Sequence, residues 1–170
     1  GVAGGADVIL IPEIPYDINK VAEAIQKRNK AGKRFTILAV AEGAISKEDA
    51  ELPKKKYKEK LAERAKKYPS VSYEIADRIF KETGAEVRVT VPGHTQRGGS
   101  PCPYDRVLST RLGAAGADAI LHNEYGYMIG IVNGKVKKVP LEDVAGKLKS
   151  VSPDDQIIKE AKLIGISFGD

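Results

Sequence analysis

Between Pro92 and Pro101 the chain reads Pro-Gly-His-Thr-Gln-Arg-Gly-Gly-Ser-Pro. His94, Thr95, Gln96 and Arg97 set an imidazole, a hydroxyl, an amide and a guanidinium side by side. Gly93, Gly98 and Gly99 let the backbone approach a ligand closely or take positive φ. Arg97 can grip a phosphate with two parallel N–H donors. His94 can donate to a phosphate or a hydroxyl. Such a set suits an anionic ligand. A structural turn with a solvated arginine is the plainer reading of the same residues.

The elements around this segment must place it. Glu86 to Val91 alternates apolar and polar residues and predicts a strand. Pro103 to Leu121 predicts a long helix with Val107, Leu108, Leu112, Ala115 and Ala119 facing inward. A loop between a strand's carboxyl end and a helix is the usual ligand position in an open α/β sheet. Glu42 occupies an equivalent place, just past a strand predicted over Phe35 to Val40. A carboxylate there can accept hydrogen bonds from hydroxyl groups. Arg88, on the predicted strand 86–91, is a further cation.

Earlier in the chain, Val8 to Ile11 predicts a short buried strand. Asp17 is a good helix N-cap, ahead of Ile18, Val21, Ala22 and Ile25 on one face, with Gly32 as terminator. Ser46 and Asp49 have capping-box spacing with Asp in place of Glu. Residues 46–68 form a charged insertion in which Leu52 and Leu61 are nearly the only large aliphatics. It predicts a solvated or partly disordered helix. Its lysines between Lys54 and Lys67 could contact nucleic acid, but the interspersed glutamates and the lack of glycine-aromatic interleaving favour a solvated face. Ser70 precedes a helix striped by Val71, Ile75, Ile79 and Phe80. Asn133-Gly134 joins strands 127–132 and 135–139 in a hairpin, and two short helices follow, near 141–148 and 153–163. This order predicts α/β architecture: a largely parallel sheet sandwiched by helices, with a C-terminal β-hairpin and helices.

Pro92 to Gly113, read as PGHTQRGGSPCPYDRVLSTRLG, resembles the signature segment of the phosphofructokinase family. GVAGGADVILIPE at the start is similar to that family's entry into the second half of its fold. Ala39-Val40-Ala41-Glu42-Gly43 is similar to the strand end carrying its sugar-binding carboxylate. The resemblance runs along nearly the whole of residues 1–170 and implies the C-terminal, sugar-phosphate-binding domain of a 6-phosphofructokinase.

By that resemblance Glu42 binds the hydroxyls of fructose 6-phosphate. His94 and Arg97 contact the sugar phosphate and the reacting end, with Thr95 and Gln96 between them. Arg88 reaches the 6-phosphate of the neighbouring subunit's substrate. Asp7, Lys33 and Arg34 correspond to a vestigial effector site, with Ala31 where an arginine is typical. The donor loop, the catalytic base and the Mg²⁺ ligands belong to the family's missing N-terminal half, so no catalytic or metal-ligating residue is expected here, and the chain alone is expected to be inactive. The sequence Ala41-Glu42-Gly43-Ala44 and the insertion are closer to the branch that includes pyrophosphate-dependent and mixed-donor enzymes. ATP or pyrophosphate is the implied donor, and a homodimer or homotetramer the implied assembly. A non-catalytic sugar-phosphate-binding or regulatory module is the alternative.

Composition agrees with a globular protein of this kind. The net charge of +5 favours an anionic ligand without choosing one. Cys102 is the single cysteine, so no intrachain disulfide can form; it is flanked by prolines and is expected to be inert. His122 is assigned no role. Gly130 to Lys135 has the wrong spacing for a phosphate loop, and no Ser or Thr follows Lys135. No apolar run reaches the roughly 20 residues that span a bilayer. The implied setting is cytoplasmic, with no membrane or nucleic-acid partner. Because the chain begins Gly1-Val2-Ala3 and holds only Met128, it reads as truncated at its N-terminus.

Overall fold

The computed structural model describes all of residues 1–170. The chain divides into two compact units, Gly1–Val91 with Ser150–Asp170, and Pro92–Lys149.

In the first unit, strand β1 (Val8–Leu10) is buried along its whole length and pairs in parallel with β2 (Leu38–Val40). The alternation of a strand sends its side chains to opposite faces. Val8 and Leu10 accordingly enter a cluster with Tyr16, Val21, Ile25, Ile75 and Ile79, whereas Ile9 joins Ala6, Ile14, Ile158, Ala161 and Phe168. Helices α1 (Ile18–Lys30) and α4 (Val71–Thr83) cover the first face, and α7 (Gln156–Leu163) the second. The sheet is therefore sandwiched, as the sequence predicts. Each fully buried Ile, Leu or Val contributes about 1.5–3 kcal/mol.

The sheet is shorter than expected. β2 starts at Leu38, and Phe35 is 69% exposed. Residues 86–91 form no ladder; Val87 and Val89 are half-buried while Glu86, Arg88 and Thr90 are exposed. The alternation is present, and Val87 packs on the core, but no neighbouring strand supplies hydrogen bonds. A third chain segment joins β1 instead: Ile9 N–H donates to Ser167 O at 2.8 Å, and Ser167 N–H to Asp7 O at 3.0 Å.

Local signals explain the helix ends. The Asp17 carboxylate accepts from Asn19 N–H at 2.8 Å. Ser46 Oγ accepts from Asp49 N–H at 3.2 Å and starts α2 (Lys47–Ala50). Only that half of the capping box forms, because the Asp49 carboxylate is taken by Lys60 and Arg64. Both belong to α3 (Lys54–Lys67), the main helix of the charged insertion, which buries none of its own residues. Ser70 precedes α4 without a side-chain cap bond.

The second unit opens on a 3₁₀ turn, Gly93–Arg97, followed by α5 (Pro103–Leu121). Cys102 is the N-cap of α5, its N–H donating to Asp105 at 3.1 Å, and Pro103 occupies the first helical position. Of the face expected to point inward, Ala119 is buried and Leu108, Leu112 and Ala115 are half-buried, but Val107 is 61% exposed. Strands β3 (Tyr127–Val132) and β4 (Lys135–Pro140) form the antiparallel hairpin. Asn133 at φ 51 and Gly134 at φ 74 make the turn, a pair of positive values that suits strand twist. Arg111 donates to Gly134 O at 2.8 Å, tying the turn to α5. A short helix, α6 (Leu141–Val144), ends the unit.

Candidate functional site

Glu42 sits two residues past β2, on a turn closed by Ala44 N–H donating to Ala41 O at 2.9 Å. Ala41 N–H in turn donates to Leu10 O at 2.9 Å, so the turn hangs from the carboxyl ends of both strands. Ala44 is buried beneath it and Glu42 is exposed above. This is the position that the sequence predicts.

Arg88, in the same unit, is 88% exposed and pairs with Glu86 at 3.1 Å. His94, Thr95, Gln96 and Arg97 lie together in the second unit. They fall within the 3₁₀ turn and are all exposed. In such a turn residues three apart eclipse each other, which puts His94 and Arg97 on one face. Gly93 (φ 52) and Gly99 (φ 93) use the conformational freedom expected of them, whereas Gly98 lies at φ -85. The sequence shows a loop here and leaves its pitch open; the structure makes it a 3₁₀ turn.

Asp7 does not meet Lys33 or Arg34. Its carboxylate pairs with Arg28 at 2.9 Å and accepts from Ile37 N–H at 2.9 Å. Lys33 and Arg34 are exposed. Arg28, on the last turn of α1, is the partner that sequence reasoning missed. It lies 21 positions from Asp7 and carries no motif.

The structure adds a groove of about 340 Å³ beside Glu42. Its other lining residues include Tyr57, Leu61, Arg64 and Ala65 of α3, together with Tyr68 and Ser70. The spacing 57, 61, 64/65, 68 is one helical face. That signal was available in the sequence, but an inventory of aliphatics overlooks a face built from tyrosines and an arginine.

Asp49, bonded to the groove-lining Arg64, is buried, its side chain 1% exposed. Burial alone would push its carboxyl up. The hydrogen bonds from Lys60 and Arg64 outweigh that and hold it below its ordinary 3.8. Arg64 also pairs with Glu74 of α4. Nowhere do three or more His, Cys, Asp or Glu side chains gather as a metal-binding set.

The model of the family described as phosphofructokinase matches residues 1–120. The chain belongs to the phosphofructokinase family. The ATP-dependent 6-phosphofructokinase of Spirochaeta thermophila is 46% identical over 170 residues, which are 100% of this chain and 46% of that protein. The ATP-dependent 6-phosphofructokinase of Propionibacterium freudenreichii is 40% identical over 185 residues, 100% of this chain and 50% of that one. The chain thus spans about half the length of the curated relatives it matches. Among solved structures, phosphofructokinase from Saccharomyces cerevisiae superposes with a TM-score of 0.60 at 29% identity, over 82% of this chain and 17% of that chain. The pyrophosphate-dependent phosphofructokinase of Nitrosospira multiformis gives a TM-score of 0.65 at 19% identity, over 96% and 41% of the two chains. At that identity the likeness is one of fold. It agrees with the α/β architecture of the phosphofructokinase fold.

Proposed function

We propose that this chain forms the fructose 6-phosphate side of a 6-phosphofructokinase, which moves a phosphoryl group from ATP to the 1-hydroxyl of the sugar. The main support is the 3₁₀ turn, whose pitch gives His94 and Arg97 a common face. A guanidinium and an imidazole on one face suit a phosphate dianion. Thr95 and Gln96 add neutral donors to the same loop.

Glu42 accepts from the sugar hydroxyls at the carboxyl ends of β1 and β2. Arg88, held only by an exposed pair with Glu86, is available to the 6-phosphate of a neighbouring protomer's substrate in a homodimer or homotetramer. Holding the sugar fixes its 1-hydroxyl for in-line attack, so these residues contribute by position and by neutralising charge.

ATP is favoured over pyrophosphate because the relatives at 40–46% identity bear ATP-dependent names, whereas the pyrophosphate-dependent likeness is at 19%. The donor loop, the general base and the Mg²⁺ ligands belong to the rest of the enzyme. Asp7, already paired with Arg28, and the exposed Lys33 and Arg34 are the remnant of an effector site. No helix is long and apolar enough to cross a membrane, and a cytoplasmic glycolytic role fits the family.

Kinetics of the full-length enzyme test the reading. Arg97→Ala should weaken fructose 6-phosphate binding by about 2–4 kcal/mol, roughly 30- to 1000-fold, and lower turnover with it. Lys56→Ala, on the exposed side of α3, should cost less than about 0.5 kcal/mol. Equal effects would overturn the assignment. The 170-residue chain alone should form no fructose 1,6-bisphosphate; formation above a blank would show that a donor site is present within it.

A further inference from the structure

Glu42 and Arg64 line one groove, yet they do not pair. The guanidinium is already occupied. Its Nη2 donates to Asp49 Oδ2 at 2.5 Å, and its Nε pairs with Glu74 of α4. Lys60 takes the other oxygen of Asp49. The Arg64 side chain is only 11% exposed, while Glu42 stands exposed at the groove's edge.

Asp49 is itself tightly placed. Its N–H is capped by Ser46 Oγ. Residues 45–47 are stitched to Tyr16, with Tyr16 N–H donating to Ile45 O at 3.0 Å and Lys47 N–H to Tyr16 O at 2.8 Å. Asp49 therefore sits on the segment that continues directly from the Glu42 turn. A half-buried guanidinium without its carboxylates would seek another within reach of its long side chain. The one carboxylate lining the same groove is Glu42.

We propose that Asp49 and Glu74 hold the Arg64 guanidinium away from Glu42, which keeps that carboxylate open to the hydroxyls of a sugar phosphate. Asp49 is then a positioning residue for the sugar site, and the charged insertion forms a wall of that site. The inference rests on the reading of Glu42 as a sugar-binding carboxylate.

Steady-state kinetics of the full-length enzyme separate the two. Glu42→Ala should raise the KM for fructose 6-phosphate at least tenfold; no change would overturn the sugar-site reading and this inference together. If Glu42→Ala acts as expected, Asp49→Asn should raise the same KM about tenfold and leave the KM for ATP within twofold. Adding Arg64→Met removes the competing cation and should return the fructose 6-phosphate KM to within about threefold of the parent enzyme. That rescue is not expected of a purely structural defect. An unchanged KM in Asp49→Asn, or no rescue by Arg64→Met, would overturn the inference while the role of Glu42 stands. If Asp49→Asn fails to fold, Glu74→Gln releases the other side of Arg64. It should raise the KM several-fold with the same rescue, and its failure to do so would equally overturn the inference.

Discussion

Gly169 lies so close against Tyr16 that a methyl group on its Cα would come within 3.0 Å of Tyr16 Cβ. The same methyl would meet Val21 at 3.1 Å and Leu10 at 3.2 Å, and the backbone there has φ 73. Asp17 N–H donates to Gly169 O at 2.7 Å, so the C-terminal segment is bound into the start of α1. Gly169→Ala should therefore destabilise the protein by roughly 2–4 kcal/mol through combined backbone strain and overpacking. Gly165→Ala is the control. Gly165 has φ 91 but open space around it, so only the strain of about 1–2 kcal/mol applies. Denaturant midpoints of the two variants check this, and equal losses would mean that contact with Tyr16 matters little.

Tyr16 gives an alkaline signature. It is 1% exposed, and burial, reinforced by the charge of Glu74, pushes its phenol from 10.0 up to about 12. The folded state thus keeps a proton that the unfolded chain releases. The associated stability is complete below pH 10 and is lost as pH rises toward 12. Ultraviolet titration should find a phenolate step near pH 12 that disappears in Tyr16→Phe. Denaturation of the parent should show a steeper decline from pH 10 upward than that of the variant.

The pairing of Asp7 with Arg28 predicts unequal substitutions. Asp7→Asn keeps an acceptor for Ile37 N–H and loses only the ion pair, whose members are 17% and 30% exposed. Its cost should be about 1 kcal/mol. Asp7→Ala also removes the acceptor of the Ile37 amide, in an exposed bond, and should cost about 2 kcal/mol in all. Thermal or urea unfolding distinguishes the two, and identical losses would show that the bond to Ile37 contributes nothing.

Amide exchange should differ between neighbouring helices. α4 buries Ile75 and Ile79, whereas α3 buries no residue and is fastened chiefly through Lys60 and Arg64. Local opening of α3 breaks few apolar contacts. Lys54 to Lys67 should exchange faster than Val71 to Phe80 in hydrogen-exchange mass spectrometry. Arg64→Met should speed α3 further and leave α4 little changed.

What the sequence determined by itself is local. Asp17 caps its helix because its side chain reaches an amide two residues on. Asn133-Gly134 turns the hairpin because those two residues tolerate positive φ. The glycine-rich segment before α5, and Glu42 at the end of β2, follow from short-range pattern and from the general position of ligands in α/β sheets. Tertiary structure decided the remainder. Arg28 finds Asp7, Ser167 pairs beside β1, and Arg64 reaches Asp49 and Glu74 only after separate helices and strands have packed. Residues 86–91 show the same limit from the other side: their alternation is written in the sequence, but a strand also needs a neighbour to receive its hydrogen bonds. Charge pairing and sheet extension depend on distances between segments, which side-chain type and spacing along the chain do not encode. For that reason the insertion looked like a solvated helix in the sequence, and the folded chain makes it one wall of the groove beside Glu42.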